Sequence, residues 1–165
     1  MSETTSRHAL PLLQPGQAQK EMWHNEALAL ADALLHPLAE AMQAAPPEAP
    51  APGQGWIVAA GASGAWAGQA GTLAVWTSGG WRFCAPTEGM TVWVRAAGCQ
   101  ARRTGSGWEL GMIDAVRLRI GGVPVVGTQA AAIANPSGGS VVDGEARAGL
   151  AAVLAALRGH GLIAG

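Results

Sequence analysis

The sequence predicts an α+β chain, in which a small tryptophan-rich antiparallel β body is flanked by an N-terminal helical arm and a C-terminal oligomerising helix. Three observations lead to this prediction. Six of the seven tryptophans lie within residues 55–109. Short apolar runs rich in Val, Ile, Thr and Trp alternate there with Gly- and Ser-rich breaks, as in the strands of a meander. On either side of this region, apolar residues recur at intervals of three and four, which is a helical period.

These patterns divide the chain into four parts. Residues 1–45 are expected to form an extended segment followed by a helix, and to serve attachment or oligomerisation. Residues 46–55 are a proline-rich linker, which is extended and semi-rigid by composition. The β body takes residues 56–134, and residues 135–165 supply a second linker and the final helix.

The N-terminal part carries a helical pattern with an apolar seam. The helix begins either near Gln17 or directly after Asn25, which would then act as its N-cap. Leu28 and Leu35 lie on the seam and are candidates for contact between subunits. Because Pro37 cannot continue a regular helix, we expect the helix to end or kink just before it.

The β body is expected to contain a series of short strands. The Gly- and Ser-rich breaks place six of them at residues 56–59, 72–76, 81–85, 91–95, 100–103 and 108–110. Residues 116–120 alternate strictly and predict one more strand, with an apolar face and an arginine face. Residues 123–126 predict another, which Pro124 restricts to the edge of a sheet.

The final helix has a second apolar seam. Residues 140–143 fit a capping box, so the helix is expected to start at Ser140. Leu150, Val153 and Leu157 follow at a heptad-like spacing, while Gly149 weakens the helix. Such a short helix is marginal alone, so we expect it to pack against copies of itself on a symmetry axis, as in a trimer.

Composition limits the possible partners. Charged residues are only 13% of the chain, and the net charge is −1. Nucleic-acid binding needs a positive excess, so no nucleic-acid partner is expected. A weakly charged surface and alanine-rich helices with thin apolar stripes favour a homo-oligomer.

Neither a metal nor a cofactor is expected. The two cysteines, Cys84 and Cys99, are too few for a disulfide framework or a zinc quartet, and the sequence leaves open whether they face each other. The N-terminus does not resemble a signal peptide, and no apolar run approaches the roughly 20 residues that span a bilayer. We therefore expect a soluble product of the cytoplasm with no membrane insertion.

The sequence indicates a non-enzymatic protein. Residues 61–64 lack the spacing of a nucleophile elbow, and all four histidines lie outside the β body. Glu88 and Glu109 have no evident carboxylate partner of the kind that glycan hydrolysis requires.

The tryptophans admit two interpretations. They either fill the core of a small sheet with few other large side chains, or some lie on the surface and stack on sugar rings. Trp66, in a Gly-rich loop, is the strongest candidate for an exposed ring, followed by Trp81 and Trp108, which come directly after Gly-rich turns.

Four short motifs stand out along the chain: Gln-Ala-Gln-Lys at residues 17–20, His-Asn-Glu-Ala-Leu at 24–28, Trp-Ile-Val-Ala at 56–59 and Gly-Ala-Trp-Ala-Gly at 64–68. Through them, residues 10–110 resemble a phage-associated family catalogued as domain of unknown function 2793. The run 36–40 departs from the family pattern, where a more β-like apolar run is expected.

Members of that family are associated with tail fibres and head spikes of phages and of gene transfer agents. The resemblance therefore implies a virion protein: a fibre, spike or adaptor component that takes part in host attachment. Its implied partners are copies of itself and other virion proteins. One alternative is a glycan-binding module that contacts host surface polysaccharide directly, and another is a hydrolase of the cell envelope.

Overall fold

The computed structural model describes residues 4–14, 16, 20–140 and 143–165. The chain forms two compact units, Met1–Met112 and Ile113–Gly165. The predicted α+β class is confirmed: the described residues form an N-terminal helix, three small sheets, one of which carries a cluster of tryptophans, and a C-terminal helix.

The described residues contain two α-helices, α1 (Lys20–Leu35) and α2 (Gly144–Gly159). The strands are β1 (Leu38–Ala39), β2 (Met42–Gln43), β3 (Gly55–Val58), β4 (Leu73–Thr77), β5 (Gly80–Cys84), β6 (Thr91–Val94), β7 (Cys99–Arg103), β8 (Trp108–Leu110), β9 (Leu118–Ile120) and β10 (Val123–Val126). Each predicted strand overlaps one of β3 to β10, so those predictions are confirmed. Strands β1 and β2 were not predicted.

Helix α1 ends where the sequence indicates, directly before His36 and Pro37. Asn25 lies inside the helix, so the interpretation of Asn25 as its N-cap is wrong. The alternative start at Gln17 lies outside the described residues.

The first unit contains two sheets of similar construction. One has the strand order β2-β3-β4-β5 and the other β1-β6-β7-β8. In each, a two-residue strand pairs in parallel with the first strand of a three-stranded antiparallel meander. The body is therefore antiparallel except for these two short pairings, both of which come from residues 38–43.

The sheets pack because their strands alternate apolar side chains between two faces. Ile57, Leu73 and Val75 of one sheet join Val92 and Val94 of the other in a single buried cluster. Helix α1 covers the same cluster with Ala33 and the partly buried Leu30. On its opposite face, the β2–β5 sheet carries a second cluster built on tryptophans.

The second unit has a smaller core. Strands β9 and β10 form an antiparallel hairpin with an irregular register near Pro124. Helix α2 begins at Gly144, and the Asp143 side chain caps it by accepting from the Ala146 amide at 2.9 Å. The predicted cap at Ser140 is therefore wrong, because Asp143 holds the N-cap position. Among the described residues of this unit, only Leu154 and Ile163 are buried apolar side chains.

A candidate ligand cavity and exposed apolar surfaces

A buried carboxylate holds the N-terminal arm, residues 4–14, against helix α1. Asp32 is buried and accepts three hydrogen bonds from the arm. The donors are the Thr5 hydroxyl at 2.8 Å, the Arg7 amide at 2.9 Å and the His8 amide at 2.6 Å. Since an ionised acceptor strengthens each of these bonds, Asp32 fixes the turn that they share.

Two further side chains fasten the arm at the ends of α1. The Arg7 guanidinium donates to the carbonyls of Ala33 at 2.8 Å and His36 at 2.6 Å, at the C-terminal end of the helix, where carbonyls lack partners within the helix. Burial lowers the pKa of Arg7, and the neighbouring Asp32 carboxylate opposes this effect. Nearer the start of α1, the Asn25 side chain makes two hydrogen bonds to the backbone of Leu13, at 2.9 and 3.0 Å.

The arm, α1 and the β4–β5 hairpin enclose a cavity of about 270 Å³, which we call the arm–helix cavity. Thr4, Thr5 and Leu12 contribute from the arm, and Trp76 and Ser78 from the hairpin. The third wall is the side of α1 that carries Glu21, Asn25, Glu26 and Asp32. All of these residues belong to the first unit.

The three carboxylates of this cavity have different partners. Asp32 accepts its hydrogen bonds from the arm. Glu26 accepts a 2.5 Å hydrogen bond from Nε of Arg82 on β5. The Oε2 atom of Glu21 is buried and has no hydrogen-bond partner among the described residues. Glu21 therefore has one carboxylate oxygen that is closed off from solvent without a hydrogen bond from the described residues.

The predicted exposure of Trp66 is wrong. Residues Gly64–Trp66 form a short 3-10 helix, and the Trp66 ring is fully buried. Its ring centroid lies 5.1 Å from that of Trp81 and 6.2 Å from that of Trp56. Trp76, whose ring centroid is 5.0 Å from that of Trp81, is the fourth member of this group of rings, which we call the tryptophan cluster.

The other two predicted rings are half-buried. Trp81 is the centre of the tryptophan cluster and meets its three neighbours edge-on at 5.0 to 5.6 Å. Trp108 packs against the core shared by both sheets, and its Nε1 donates to the Gly71 carbonyl at 2.8 Å. The structure thus gives Trp66, Trp81 and Trp108 packing roles, and brings only the first two together.

Two exposed tryptophans were missed. Trp23 on α1 is 77% exposed, and Trp93 on β6 is 45% exposed. Trp93 lies between the buried Val92 and Val94, so the alternation of residues along β6 indicates that its ring points outward.

The predicted oligomerisation residues divide into exposed and half-buried positions. Leu35, Leu150 and Val153 are 54%, 54% and 57% exposed. Leu28 and Leu157 are half-buried. On α2, the neighbouring Leu154 turns into the small core of its own unit, while Leu150 and Val153 remain uncovered.

Exposed apolar side chains continue through the second unit. Besides the α2 seam, the exposed large side chains there are Ile113, Val116, Leu118, Ile120, Val123, Val125, Val126, Ile133 and Leu162. A two-stranded hairpin is marginal in water, and extensive apolar surface marks sites of association.

Other chemical features are few among the residues that the structure describes. No group of three His, Cys, Asp or Glu side chains is placed to hold a metal ion. Cys84 and Cys99 are both free thiols, and burial raises the pKa of Cys84. No described helix is both long and apolar enough to cross a membrane.

Comparison with known protein families identifies a family for more than half of the chain. Residues 24–109 match the model of a family described as "Protein of unknown function (DUF2793)". No curated protein matches the chain. The matched segment begins within α1 and ends in β8, so it includes both sheets of the first unit.

Proposed function

The chain belongs to the DUF2793 family of proteins of unknown function, and from this premise we propose that it is a non-enzymatic structural protein of a virion. In this role it is a fibre, spike or adaptor component of a phage tail or gene-transfer-agent particle, and it takes part in host attachment. The phage association that the sequence resemblance implies supports this proposal. In the particle, the chain is a homo-oligomer, with a trimer as the expected state, and contacts other virion proteins.

The single observation that carries the proposal is the uncovered apolar surface of the second unit. The β9–β10 hairpin exposes Leu118, Ile120 and Val123, and the neighbouring helix exposes Leu150 and Val153. Fully burying one such side chain contributes about 1.5–3 kcal/mol to stability. An interface that covers all of them would therefore stabilise the assembled protein substantially. Copies of the same chain are the occupant that this surface fits, because a heptad-like spacing on α2 is typical of helices that associate with themselves.

The test is the mass of the purified full-length chain by mass photometry and analytical ultracentrifugation. We expect a trimer across concentrations. Replacing both Leu150 and Val153 with Glu places charges in the seam, and is expected to give a monomer. Ala148 and Ala152 lie on the opposite side of α2 by helical geometry, so their replacement with Glu is a control of equal charge that leaves the trimer intact.

A monomeric wild-type chain, or a seam variant that remains trimeric, would overturn the oligomer proposal. The virion role has its own test, which is mass spectrometry of purified particles from cells that carry the gene. The full-length chain is expected in intact particles, and its consistent absence from them would exclude a structural role.

A second candidate function is direct binding of host surface polysaccharide. The observation that favours it is the arm–helix cavity, which is lined by hydroxyl-bearing residues and by residues with carboxylate side chains. The same cavity argues for binding rather than glycan hydrolysis. Hydrolysis needs two carboxyl groups free to act on the bond, whereas Glu26 and Asp32 are already engaged by Arg82 and the arm.

A further inference from the structure

We propose that a cleft on the outer face of the β1-β6-β7-β8 sheet binds one neutral pyranose unit of a polysaccharide, with Trp93 stacking on the ring and Gln100 bonding to its hydroxyl groups. This inference deepens the polysaccharide-binding candidate, to which it gives a contact surface outside the arm–helix cavity, and it rests on that candidate for its biological setting. The cleft has a volume of about 290 Å³, and we call it the Trp93 cleft. Its lining residues are His36, Pro37, Leu38, Thr91, Trp93 and Gln100.

The pairing of the strands shows that the Trp93 side chain lies on the cleft side of the sheet. Trp93 stands between two valines that are buried in the core of the first unit, so Thr91 and Trp93 point to the opposite face. The register partners of Trp93 are Leu38 on β1 and Gln100 on β7, and the residue after each of these is buried in the same core. Residues opposite one another in a sheet project to the same side. The 45%-exposed indole therefore lies among the other outward positions that line the cleft.

The Trp93 cleft offers a flat apolar surface beside groups that bond to hydroxyls. The open side of the indole suits the C–H face of a pyranose, which packs on aromatic rings. Directly opposite Trp93, the exposed Gln100 amide supplies both donors and an acceptor. Thr91, also exposed, adds a hydroxyl that donates and accepts, and His36 adds an imidazole. A sugar ring presents this combination of an apolar face and a polar edge.

The lining favours a neutral sugar over a charged one. Among the described residues that line the cleft, none has an Asp, Glu, Lys or Arg side chain, so a charged substituent finds no ionic partner there. A volume of about 290 Å³ is close to the lower end of small-molecule sites, roughly 300–1,000 Å³, and suits one ring. Because the cleft is open to solvent on the sheet face, it accepts an internal unit of a sugar chain as well as a single sugar.

The same lining fits a proline-rich peptide less well. Proline-rich segments dock in grooves that are lined by several aromatic side chains. Trp93 is the single Trp, Tyr or Phe among the described lining residues. A sugar is therefore the occupant that the cleft matches better, and a proline-rich peptide becomes an outcome of the test.

The Trp93 cleft is held in place by contacts within the chain. The Trp93 amide donates to the Pro37 carbonyl at 3.0 Å, which joins β6 to the segment after α1. The β6–β7 pairing keeps Gln100 opposite Trp93. The His36 carbonyl accepts from the Arg7 guanidinium at 2.6 Å. Since these contacts are made without a ligand, little ordering is needed when a sugar binds.

The experiment is a proton–nitrogen correlation NMR titration of the full-length chain with the methyl glycosides of D-glucose, D-galactose, D-mannose and L-rhamnose, each alone. The chain has seven tryptophans, and the indole signals of Trp93 and Trp23 are identified by their loss in Trp93→Phe and Trp23→Phe. We expect the Trp93 indole and the Gln100 side-chain amide to shift saturably with at least one sugar. The expected Kd is about 1–10 mM, because one stacked ring on an open surface gives a small binding free energy. The Trp23 ring, which is 77% exposed on α1 and outside the cleft, should give an unchanged signal.

Two pairs of variants test the roles of Trp93 and Gln100. Trp93→Ala, followed at the Gln100 amide, is expected to weaken binding about tenfold or more, because it removes the stacking surface. Gln100→Ala, followed at the Trp93 indole, is expected to weaken binding about two- to tenfold through lost hydrogen bonds. The matched controls are Trp23→Ala and Gln129→Ala, which remove the same side chains at exposed positions outside the cleft and should bind as the wild type does. All four positions are exposed, so the midpoint of urea unfolding should change little.

Several outcomes would overturn the proposal. These are no shift of the Trp93 signal with any of the four sugars, an equal shift of the Trp23 signal, or wild-type binding by Trp93→Ala or Gln100→Ala. A Trp93 shift with a hexaproline peptide but with none of the sugars would assign the cleft to proline-rich segments and would also overturn it. These outcomes leave the virion proposal standing, since that proposal is tested by the mass of the chain and its presence in particles.

Discussion

Asp32→Ala tests whether one buried carboxylate holds the arm to the first unit. The wild-type side chain accepts from Thr5, Arg7 and His8, at 2.6 to 2.9 Å. A hydrogen bond to a charged group contributes about 1.5–3 kcal/mol, but bonds that share one acceptor do not add. Removing one side of a buried charged network typically costs about 3–5 kcal/mol, and we expect a loss of that size in the free energy of unfolding.

Two milder variants weaken the same contact by smaller amounts. Asp32→Asn keeps the shape and one acceptor oxygen, so we expect a smaller loss, about 1–3 kcal/mol. Thr5→Val removes only the hydroxyl, which donates to Asp32 and also accepts from the Leu10 amide at 3.0 Å, and should cost about 1 kcal/mol. The expected loss in the free energy of unfolding is therefore largest for Asp32→Ala, smaller for Asp32→Asn and smallest for Thr5→Val.

The assay is urea unfolding followed by tryptophan fluorescence. All seven tryptophans precede Met112, so the signal reports the first unit alone. Trypsin cleavage after Arg7 gives a local measure, since release of the arm exposes that bond. If Asp32→Ala costs no more than Thr5→Val and does not speed cleavage, the carboxylate does not hold the arm and the reasoning fails.

Two other predictions concern the buried interior. Trp66→Ala should lower the free energy of unfolding by about 3–5 kcal/mol, because it leaves a cavity at a fully buried position of the tryptophan cluster. Trp23→Ala at an exposed position should change it by less than about 0.5 kcal/mol, and equal losses in urea unfolding would contradict the observed burial. Burial raises the pKa of Cys84, so the unfolded chain, with an ordinary thiol pKa of about 8.5, releases this proton at lower pH than the folded one. The stabilisation is complete below about pH 8.5 and is lost as the pH rises through the folded pKa, so urea titrations should show a decline that Cys84→Ala lacks and Cys99→Ala retains.

Strands β3 to β10 were predictable because each carries its own signal. Val, Ile, Thr and Trp runs between Gly-rich turns report local geometry, and the two-residue turn at Ser78 and Gly79 needs no distant contact. Strands β1 and β2 have two residues each and pair in parallel with strands elsewhere in the chain. Two residues are too few to show a period. For this reason, residues 36–40 lack the β-like apolar run that the family pattern leads us to expect.

The candidate site was harder to predict than the fold. The Gly-rich loop predicted an exposed Trp66, but residues Gly64–Trp66 form a 3-10 helix in which the ring is fully buried. The arm–helix cavity joins segments near residues 5, 25 and 78, and its existence depends on the Asp32 contacts that bring them together. Neither the orientation of a loop ring nor the meeting of three separate segments is encoded in a local pattern.

The double use of residues 38–43 restricts how this sequence can change in length. The Glu40 amide donates to the Gly55 carbonyl of β3 at 2.7 Å, and the Glu40 carbonyl accepts from the amide of Ala96, in the 3-10 turn directly after β6, at 3.0 Å. Only Glu40 and Ala41 separate β1 from β2. One inserted or deleted residue there would move one pairing out of register, and a slip by one residue turns every side chain to the other face. Relatives should therefore keep the length of this segment fixed while varying the loops that join the meanders.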